Sequence, residues 1–317
     1  MKHLGKVSAL VVFFVVLGNG NFVLASGVRV VATIAPVHSL VSMVMGGVAE
    51  PALLLEGGET PHRYSLRPSQ SHLLASADVI VRIGDPLESF LRKPLKSLAK
   101  RASVIDLIDV PGVLKLPVST GRSHGHDHSG HGHSGNGHYH SRRGTDPHIW
   151  LHTANAHKFL NAVADGLSKR DPGNAVTFRR NAETASRQLA SLKQEIDKTL
   201  APVRKSSFAT FHDAWQYFSA EFGLSSAGSL TVNPERPPGA RRLSQIKIRI
   251  RDRQVRCVFA EPQFSKKTIE AVVRGTSAKI GVLDPLGARL SPGPGLWPAL
   301  MRNLARDIAS CLRQGDR

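Results

Sequence analysis

The chain has 317 residues, of which 41% are hydrophobic, and this is enough for two lobes of ordinary size with large buried cores. The formal net charge is +18, but the arginines are scattered and no basic motif is interleaved with aromatic residues, so a nucleic-acid partner is not expected. The charge is more typical of an arginine-rich, solvated surface that suits an acidic partner or a membrane surface.

The N-terminus is typical of a secretory signal peptide. Lys2 and Lys6 form a basic region, and the apolar run Val7–Leu17 that follows is short for a bilayer span. The sequence Val23-Leu24-Ala25 then offers the small residues that a signal peptidase reads. We predict that residues 1–25 are cleaved after about Ala25 and that the mature chain is exported to the periplasm. An uncleaved anchor is the alternative.

Strands and helices alternate in the N-terminal lobe, which we predict to cover residues 26–170. Four apolar, mostly β-branched runs are separated by stretches with helical character, and this βαβα order predicts a mostly parallel sheet covered by helices on both faces. The predicted strands are Val28–Ile34, Pro51–Gly57, Asp78–Gly84 and Ser103–Leu107. The predicted helices begin at Val37 and cover Pro68–Ala77 and Pro86–Arg101.

A histidine-rich tract interrupts this lobe. Its histidines are separated by Gly, Ser and Asn, with almost no apolar residue, so a disordered loop over about residues 120–143 is expected. Imidazole is a common ligand of transition metals, and the H-x-H spacing lets two or three rings reach one ion. We predict low-affinity metal binding here rather than one fixed site. The histidines of the tract are His124, His126, His128, His131, His133, His138 and His140.

A long linking helix is predicted over residues 171–201. Asp171-Pro172 is typical of a helix start, because Asp caps the first turn and Pro is favoured at the first helical position. Five apolar residues then recur at helical spacing until Pro202 ends the run: Ala185, Leu189, Leu192, Ile196 and Leu200. At ~1.5 Å per residue the helix would be about 40 Å long and would join the two lobes as a rigid strut.

A second βα series predicts a C-terminal lobe over residues 202–317. The chain is thus an α/β protein of two lobes, each with a mostly parallel sheet flanked by helices, joined by one long rigid helix. The predicted strands are Ser206–Phe211, Val255–Glu261, Ala278–Asp284 and a less distinct one within Leu224–Val232. The predicted helices are Asp213–Phe222, Arg241–Arg253, Ser265–Thr276 and Trp297–Cys311.

The two cysteines, Cys257 and Cys311, predict one disulfide, because an exported chain matures in an oxidising compartment. The bond would tie the last helix to a core strand. Two thiolate zinc ligands are the competing interpretation, but no CxxC spacing supports it.

Ligand-type side chains follow the predicted strands. Ligands of open parallel sheets bind beyond the carboxyl ends of the strands. His62 follows the second strand, His212 directly follows Phe211, and Asp284 ends the last strand, while His148 follows the histidine tract. Three imidazoles and one carboxylate in the cleft between the lobes would form a tetrahedral site that suits Zn²⁺.

Two glutamates are predicted to assist the metal site, and the remaining histidines are not predicted to be ligands. Glu261 also ends a strand and is expected to orient a ligand or approach the ion, and Glu59 is expected to act as a mobile carboxylate at the mouth of the cleft. The remaining histidines are interpreted as ordinary surface or supporting residues: His38, His72, His152 and His157.

Five local sequences, in this order, resemble the zinc-binding proteins of bacterial zinc-uptake ABC transporters (the ZnuA type): GGETPHRYSLRPSQ, DPHIWL, FHDAWQYF, CVFAEPQFS and GVLDPLG. The resemblance covers essentially the whole mature chain. It implies a two-lobed fold with a rigid backbone helix and Zn²⁺ binding by His62, His148 and His212. It also implies delivery of Zn²⁺ to a membrane permease by a monomer that is not an enzyme. A passive zinc buffer or, less in keeping with the sequence, an exported zinc hydrolase are the alternatives.

The fourth ligand is where the sequence departs from some relatives. In some members of the family a Glu immediately precedes the first ligand histidine, and Pro61 occupies that place here. This difference favours Asp284 as the fourth ligand, or an open position that water fills. In manganese-specific relatives a glutamate occupies the third ligand position, so the resemblance implies that His212 favours zinc over manganese.

Overall fold

The computed structural model describes residues 27–119, 144–231 and 239–313. The predicted signal peptide and the histidine-rich tract lie outside the described residues. Among the described residues, no helix combines the length and the apolar character that crossing a bilayer requires.

The N-terminal half is built on a four-stranded parallel sheet with the strand order β2-β1-β3-β4. Strands β1 and β3 are buried along their whole length, because they occupy the centre of the sheet and helices cover both faces. The strands are β1 (Val30–Ala32), β2 (Ala52–Leu53), β3 (Val79–Arg82) and β4 (Ser103–Asp106). The helices are α1 (Ala35–Met45), α2 (Pro68–Ser76) and α3 (Arg92–Ser97).

The C-terminal half repeats this plan with the parallel order β6-β5-β7-β8. Its central strands, β5 and β7, are again completely buried. The strands are β5 (Phe208–His212), β6 (Ser226–Thr231), β7 (Cys257–Ala260) and β8 (Lys279–Val282). The helices are α6 (Gln216–Phe222), α7 (Ala240–Asp252), α8 (Lys267–Val273) and α9 (Leu296–Arg313).

Two antiparallel helices connect the halves: α4 (Thr153–Arg170) and α5 (Ala175–Leu200). Helix α5 has 26 residues and buries one face with side chains at helical spacing: Phe178, Ala182, Ala185, Leu189, Leu192, Ile196 and Leu200. It packs against α1, α4 and α9, and one hydrophobic core runs continuously from the first sheet to the second. The predicted fold class is therefore confirmed, and the two halves are joined by packing as well as by the helix.

The predicted disulfide is confirmed. Cys257 in β7 is bonded to Cys311 in α9, with 6.3 Å between their Cα atoms. The bond ties the last helix to a central strand of the second sheet, as the sequence indicated.

The outer strand β4 differs from the prediction. We expected β4 to be a buried strand, but Val104 is 41% exposed. In β8, which we predicted as a strand without a statement on burial, Ile280 is 42% exposed. Both strands lie at the edge of their sheets, where a neighbour is present on one side only. Apolar runs alone do not distinguish an edge strand from a central one.

Several boundaries are also shorter than predicted. The helix expected over Pro86–Arg101 is a 3-10 turn at Ser89–Leu91 followed by the short α3, and Pro94 lies in the first turn of α3, where a missing N–H is tolerated. Of the segment predicted as a strand over Pro51–Gly57, only Ala52–Leu53 forms strand β2.

Candidate metal centre

Three histidines from separate parts of the chain meet at the carboxyl ends of the strands. His212 is the last residue of β5, His62 lies in the loop after β2, and His148 immediately precedes a 3-10 turn. The Nε2 atom of His148 lies 3.3 Å from that of His62 and 3.2 Å from that of His212. Within the described residues, this is the one group of three or more potential ligands that converges within 4.8 Å.

Two of the three rings are oriented by buried carboxylates. The Nδ1 atom of His148 lies 2.7 Å from Asp146 Oδ1, and that of His212 lies 2.6 Å from Glu261 Oε1. Both carboxylates are 2% exposed. An ionised carboxylate only accepts hydrogen bonds, so it selects the tautomer that carries the proton on Nδ1. In that neutral tautomer the lone pair lies on Nε2, which faces the centre. Such carboxylate–histidine pairs are typical of zinc ligands.

His62 is held differently. Its backbone N–H donates to Thr60 Oγ1 at 3.4 Å, and within the described residues no carboxylate contacts its ring. Burial, followed by the two neighbouring imidazoles, lowers the pKa of His62 to about 2. The ring is therefore neutral at physiological pH and offers its lone pair to a metal ion.

The surroundings of the three rings are mostly apolar and leave little space. Trp150, Phe264, Pro61 and Leu286 line the cavity together with the histidines, and its volume is about 10 Å³. A cavity of this size holds one ion or one water molecule. Three converging lone pairs in an apolar cavity favour a borderline divalent cation, and imidazole is a preferred ligand of Zn²⁺.

The structure does not bring Asp284 into this group. Its Oδ1 atom accepts hydrogen bonds from the Gln263 side chain and from the backbone N–H groups of Leu286 and Gly287, at 3.0, 3.1 and 3.0 Å. Its Oδ2 atom accepts the Ala288 N–H at 2.7 Å. Asp284 is therefore engaged in closing the turn after β8. The sequence Asp-Pro-Leu-Gly is itself typical of such a turn.

The two predicted auxiliary carboxylates have different positions. Glu261 lines the cavity and contacts His212, as described above. Glu59 is not among the residues that line the cavity; its Oε1 atom accepts hydrogen bonds from Tyr64 and Arg67. Both contacts fix Glu59 in its own loop.

The other histidines have mixed positions. His72 and His157 are exposed, as expected of surface residues. His38 was predicted to be a surface or supporting residue, but it is buried in α1, where its Nε2 atom lies 2.9 Å from the carbonyl oxygen of Pro51. Burial lowers the pKa of His38. His152 is partly buried, with Nδ1 3.9 Å from Glu221 Oε1.

Asp146 is the residue that the sequence analysis missed. It lies two positions before His148, and its Oδ1 atom accepts both the backbone N–H and the Nδ1–H of that residue. An aspartate two residues before a candidate ligand is the signal that would have found it.

The two orienting carboxylates support a first prediction. We expect Asp146→Asn and Glu261→Gln each to weaken zinc binding by about 10- to 100-fold, because an amide stabilises the wrong tautomer and orientation of the ligand imidazole. Competition with a chelating dye measures this. Glu59→Gln serves as the control, since Glu59 contacts none of the three histidines, and equal effects of all three changes would contradict the interpretation.

Comparisons with known proteins agree with this chemistry. A family model described as "Zinc-uptake complex component A periplasmic" matches residues 30–311. The chain is 41% identical over 304 residues to the high-affinity zinc uptake system protein ZnuA of Brucella abortus (strain 2308), covering 89% of this chain and 91% of the relative. It is 36% identical over 301 residues to the protein of the same description from Yersinia pestis, covering 92% and 93%. A solved structure described as ZnuA superposes with a TM-score of 0.75 at 25% identity, covering 90% of this chain and 98% of that chain.

Proposed function

Because this chain belongs to the family of periplasmic zinc-uptake component A proteins, we propose that it captures Zn²⁺ outside the cytoplasm and delivers it to the membrane permease of an ABC transporter. The convergence of three imidazoles, two of them oriented by buried carboxylates, is the observation that carries this proposal. Zn²⁺ is the cargo of the site. The permease is the partner, and the protein acts as a monomer after removal of residues 1–25.

The site chemistry favours tight binding of zinc. Imidazole donors suit Zn²⁺, whereas Mn²⁺ prefers carboxylate oxygens. Capture of a scarce ion needs nanomolar affinity, which corresponds to about −12 kcal/mol.

Growth under zinc limitation tests the proposal. We expect a strain that lacks this protein to stop growing when zinc is chelated and to recover when the wild-type chain, but not the His212→Ala variant, is supplied. A passive zinc buffer would be dispensable under scarcity, so undiminished growth of the deletion strain would reject the transport function in favour of a buffer.

We propose that a water molecule is the fourth ligand of the zinc ion. Of the alternatives, which are Asp284, water or a glutamate, the contacts of Asp284 with four donors argue against Asp284 and support water. Two buried acceptors that line the cavity, Glu261 Oε2 and Gln263 Oε1, have no hydrogen-bond partner among the described residues. Both would accept hydrogen bonds from a water molecule on the ion.

We therefore predict that Asp284→Ala changes zinc affinity by less than about 3-fold but lowers the free energy of unfolding by about 1–3 kcal/mol, because backbone donors of the turn lose their acceptor. Isothermal titration calorimetry and urea unfolding of the zinc-free protein measure the two quantities. A loss of affinity of about 100-fold would instead make Asp284 the fourth ligand.

We propose that the histidine-rich tract has a secondary role in low-affinity capture or sensing of zinc. The described segments on either side of the tract are adjacent: Pro117 pairs with Thr145, and Val118 N–H donates to Gly144 O at 2.8 Å. Residues 124–140 can therefore be deleted without stretching the chain. We expect the deletion to abolish weak sites in a zinc titration while one tight site per chain remains. Loss of the tight site would contradict this division of roles.

A further inference from the structure

Asp146, which orients His148, is itself held by helix α6 of the other half of the molecule. Gln216 Nε2 donates to Asp146 Oδ2 at 2.9 Å. The hydroxyl of Tyr217 donates to the backbone oxygen of Asp146 at 2.9 Å. Asp146 therefore accepts a hydrogen bond from His148 with Oδ1 and one from Gln216 of α6 with Oδ2.

Tyr217 is also hydrogen-bonded to the segment around Leu116, which lies beside the Asp146 segment. Its hydroxyl accepts the Leu116 N–H at 2.8 Å, and the Asp146 N–H donates to Leu116 O at 2.8 Å. The Tyr217 hydroxyl thus contacts the backbone of both segments, at Leu116 and at Asp146. Burial raises the pKa of Tyr217 to about 12, so the hydroxyl keeps its proton at physiological pH.

The same helix is attached to a second ligand. Only Asp213, Ala214 and Trp215 separate His212 from the start of α6, and Ala214 and Trp215 are buried. Helix α6 therefore holds His212 through the chain and His148 through Asp146. His62 has no contact of this kind among the described residues.

We propose that Tyr217 and Gln216 form a latch between the halves, through which the position of α6 sets the orientation of His148 and thereby the affinity for zinc. This inference rests on the proposed function, and it adds a way in which the permease could cause the release of Zn²⁺. A permease that moves α6 against the Leu116–Asp146 segments breaks these hydrogen bonds, frees Asp146 to turn, and loosens one ligand without entering the cavity.

Tyr217→Phe tests the latch, because it removes one hydroxyl and keeps the ring that fills the core. We expect zinc affinity to fall by about 3- to 30-fold, with a matching increase in the rate at which a chelator removes zinc. Gln216→Leu is likewise expected to lower zinc affinity and to speed the removal of zinc by a chelator. The visible absorption spectrum of the Co²⁺-loaded protein should also change, since it reports the geometry of the ligands.

Thr153→Val is the matched control. Thr153 Oγ1 donates to Glu221 Oε1, so this change also removes a hydroxyl contact between α4 and α6. Among the described residues, neither Thr153 nor Glu221 is hydrogen-bonded to Asp146 or to one of the three histidines. We expect Thr153→Val to lower the melting temperature of the zinc-free protein about as much as Tyr217→Phe, with wild-type zinc affinity and a wild-type Co²⁺ spectrum.

Two outcomes overturn the latch. Wild-type affinity, release rate and Co²⁺ spectrum in Tyr217→Phe would show that α6 does not control His148. An equal loss of affinity in Thr153→Val would show a general loosening of the halves instead. Either result leaves the proposed function intact if the wild-type chain binds one zinc ion tightly, whereas failure of the wild-type chain to bind zinc rejects the proposed function itself.

Discussion

Replacement of any one of the three converging histidines with alanine is expected to lower zinc affinity by about 10²- to 10³-fold. Structural zinc sites with four ligands bind with about 10–16 kcal/mol, so one ligand of the shell contributes about 3–4 kcal/mol. Isothermal titration calorimetry with a competing chelator measures the loss for His62→Ala, His148→Ala and His212→Ala.

The three variants should differ in stability. His148→Ala and His212→Ala each leave a buried carboxylate without its imidazole partner, which is expected to cost about 1–3 kcal/mol in the zinc-free protein. His62→Ala leaves no carboxylate unpaired and should cost less. His157→Ala, an exposed change on α4, serves as the control for both measurements. Unchanged zinc affinity in any of the three variants would remove that residue from the site.

Removal of the disulfide is expected to produce the largest loss of stability. Cys257 and Cys311 are separated by 54 positions, and a loop of this length corresponds to about 4 kcal/mol in the chain-entropy model. We expect the double variant Cys257→Ala/Cys311→Ala to unfold at a markedly lower urea concentration than the wild-type protein.

Zinc affinity provides the internal control for this change. The disulfide lies in β7 and α9, and neither cysteine lines the metal cavity. The folded double variant should therefore bind zinc with wild-type affinity at low temperature. A double variant as stable as the wild type would show that packing of α9, rather than the bond, holds this helix in place.

The shared core bears on how the protein moves. One hydrophobic cluster includes central residues of both sheets and the buried face of α5. Wide separation of the halves would expose this apolar surface to water, at about 25 cal/mol for each Å². Small tilts and loop movements are the changes that such a core permits, and a latch of a few hydrogen bonds responds to movements of that size.

The sequence by itself determined the two βα series, the long linking helix and the three histidines. These features depend on local patterns: apolar periodicity defines strands and helices, and parallel sheets place their ligands beyond the carboxyl ends of the strands. The position of His212 directly after an apolar run is such a local signal, and the resemblance to the zinc-uptake family singled it out together with His62 and His148.

Only the tertiary structure decided which strands lie at the edges and how the side chains that support the candidate ligands are themselves held. Val104 and Ile280 are as apolar as central residues, and their exposure depends on which strands neighbour them. Asp146 and Tyr217 are distant in the chain, and their contact exists only because the two halves pack together. A hydrogen-bond partner is chosen by position in space, so no local pattern could show that Gln216 and Tyr217 of one half are hydrogen-bonded to Asp146 of the other.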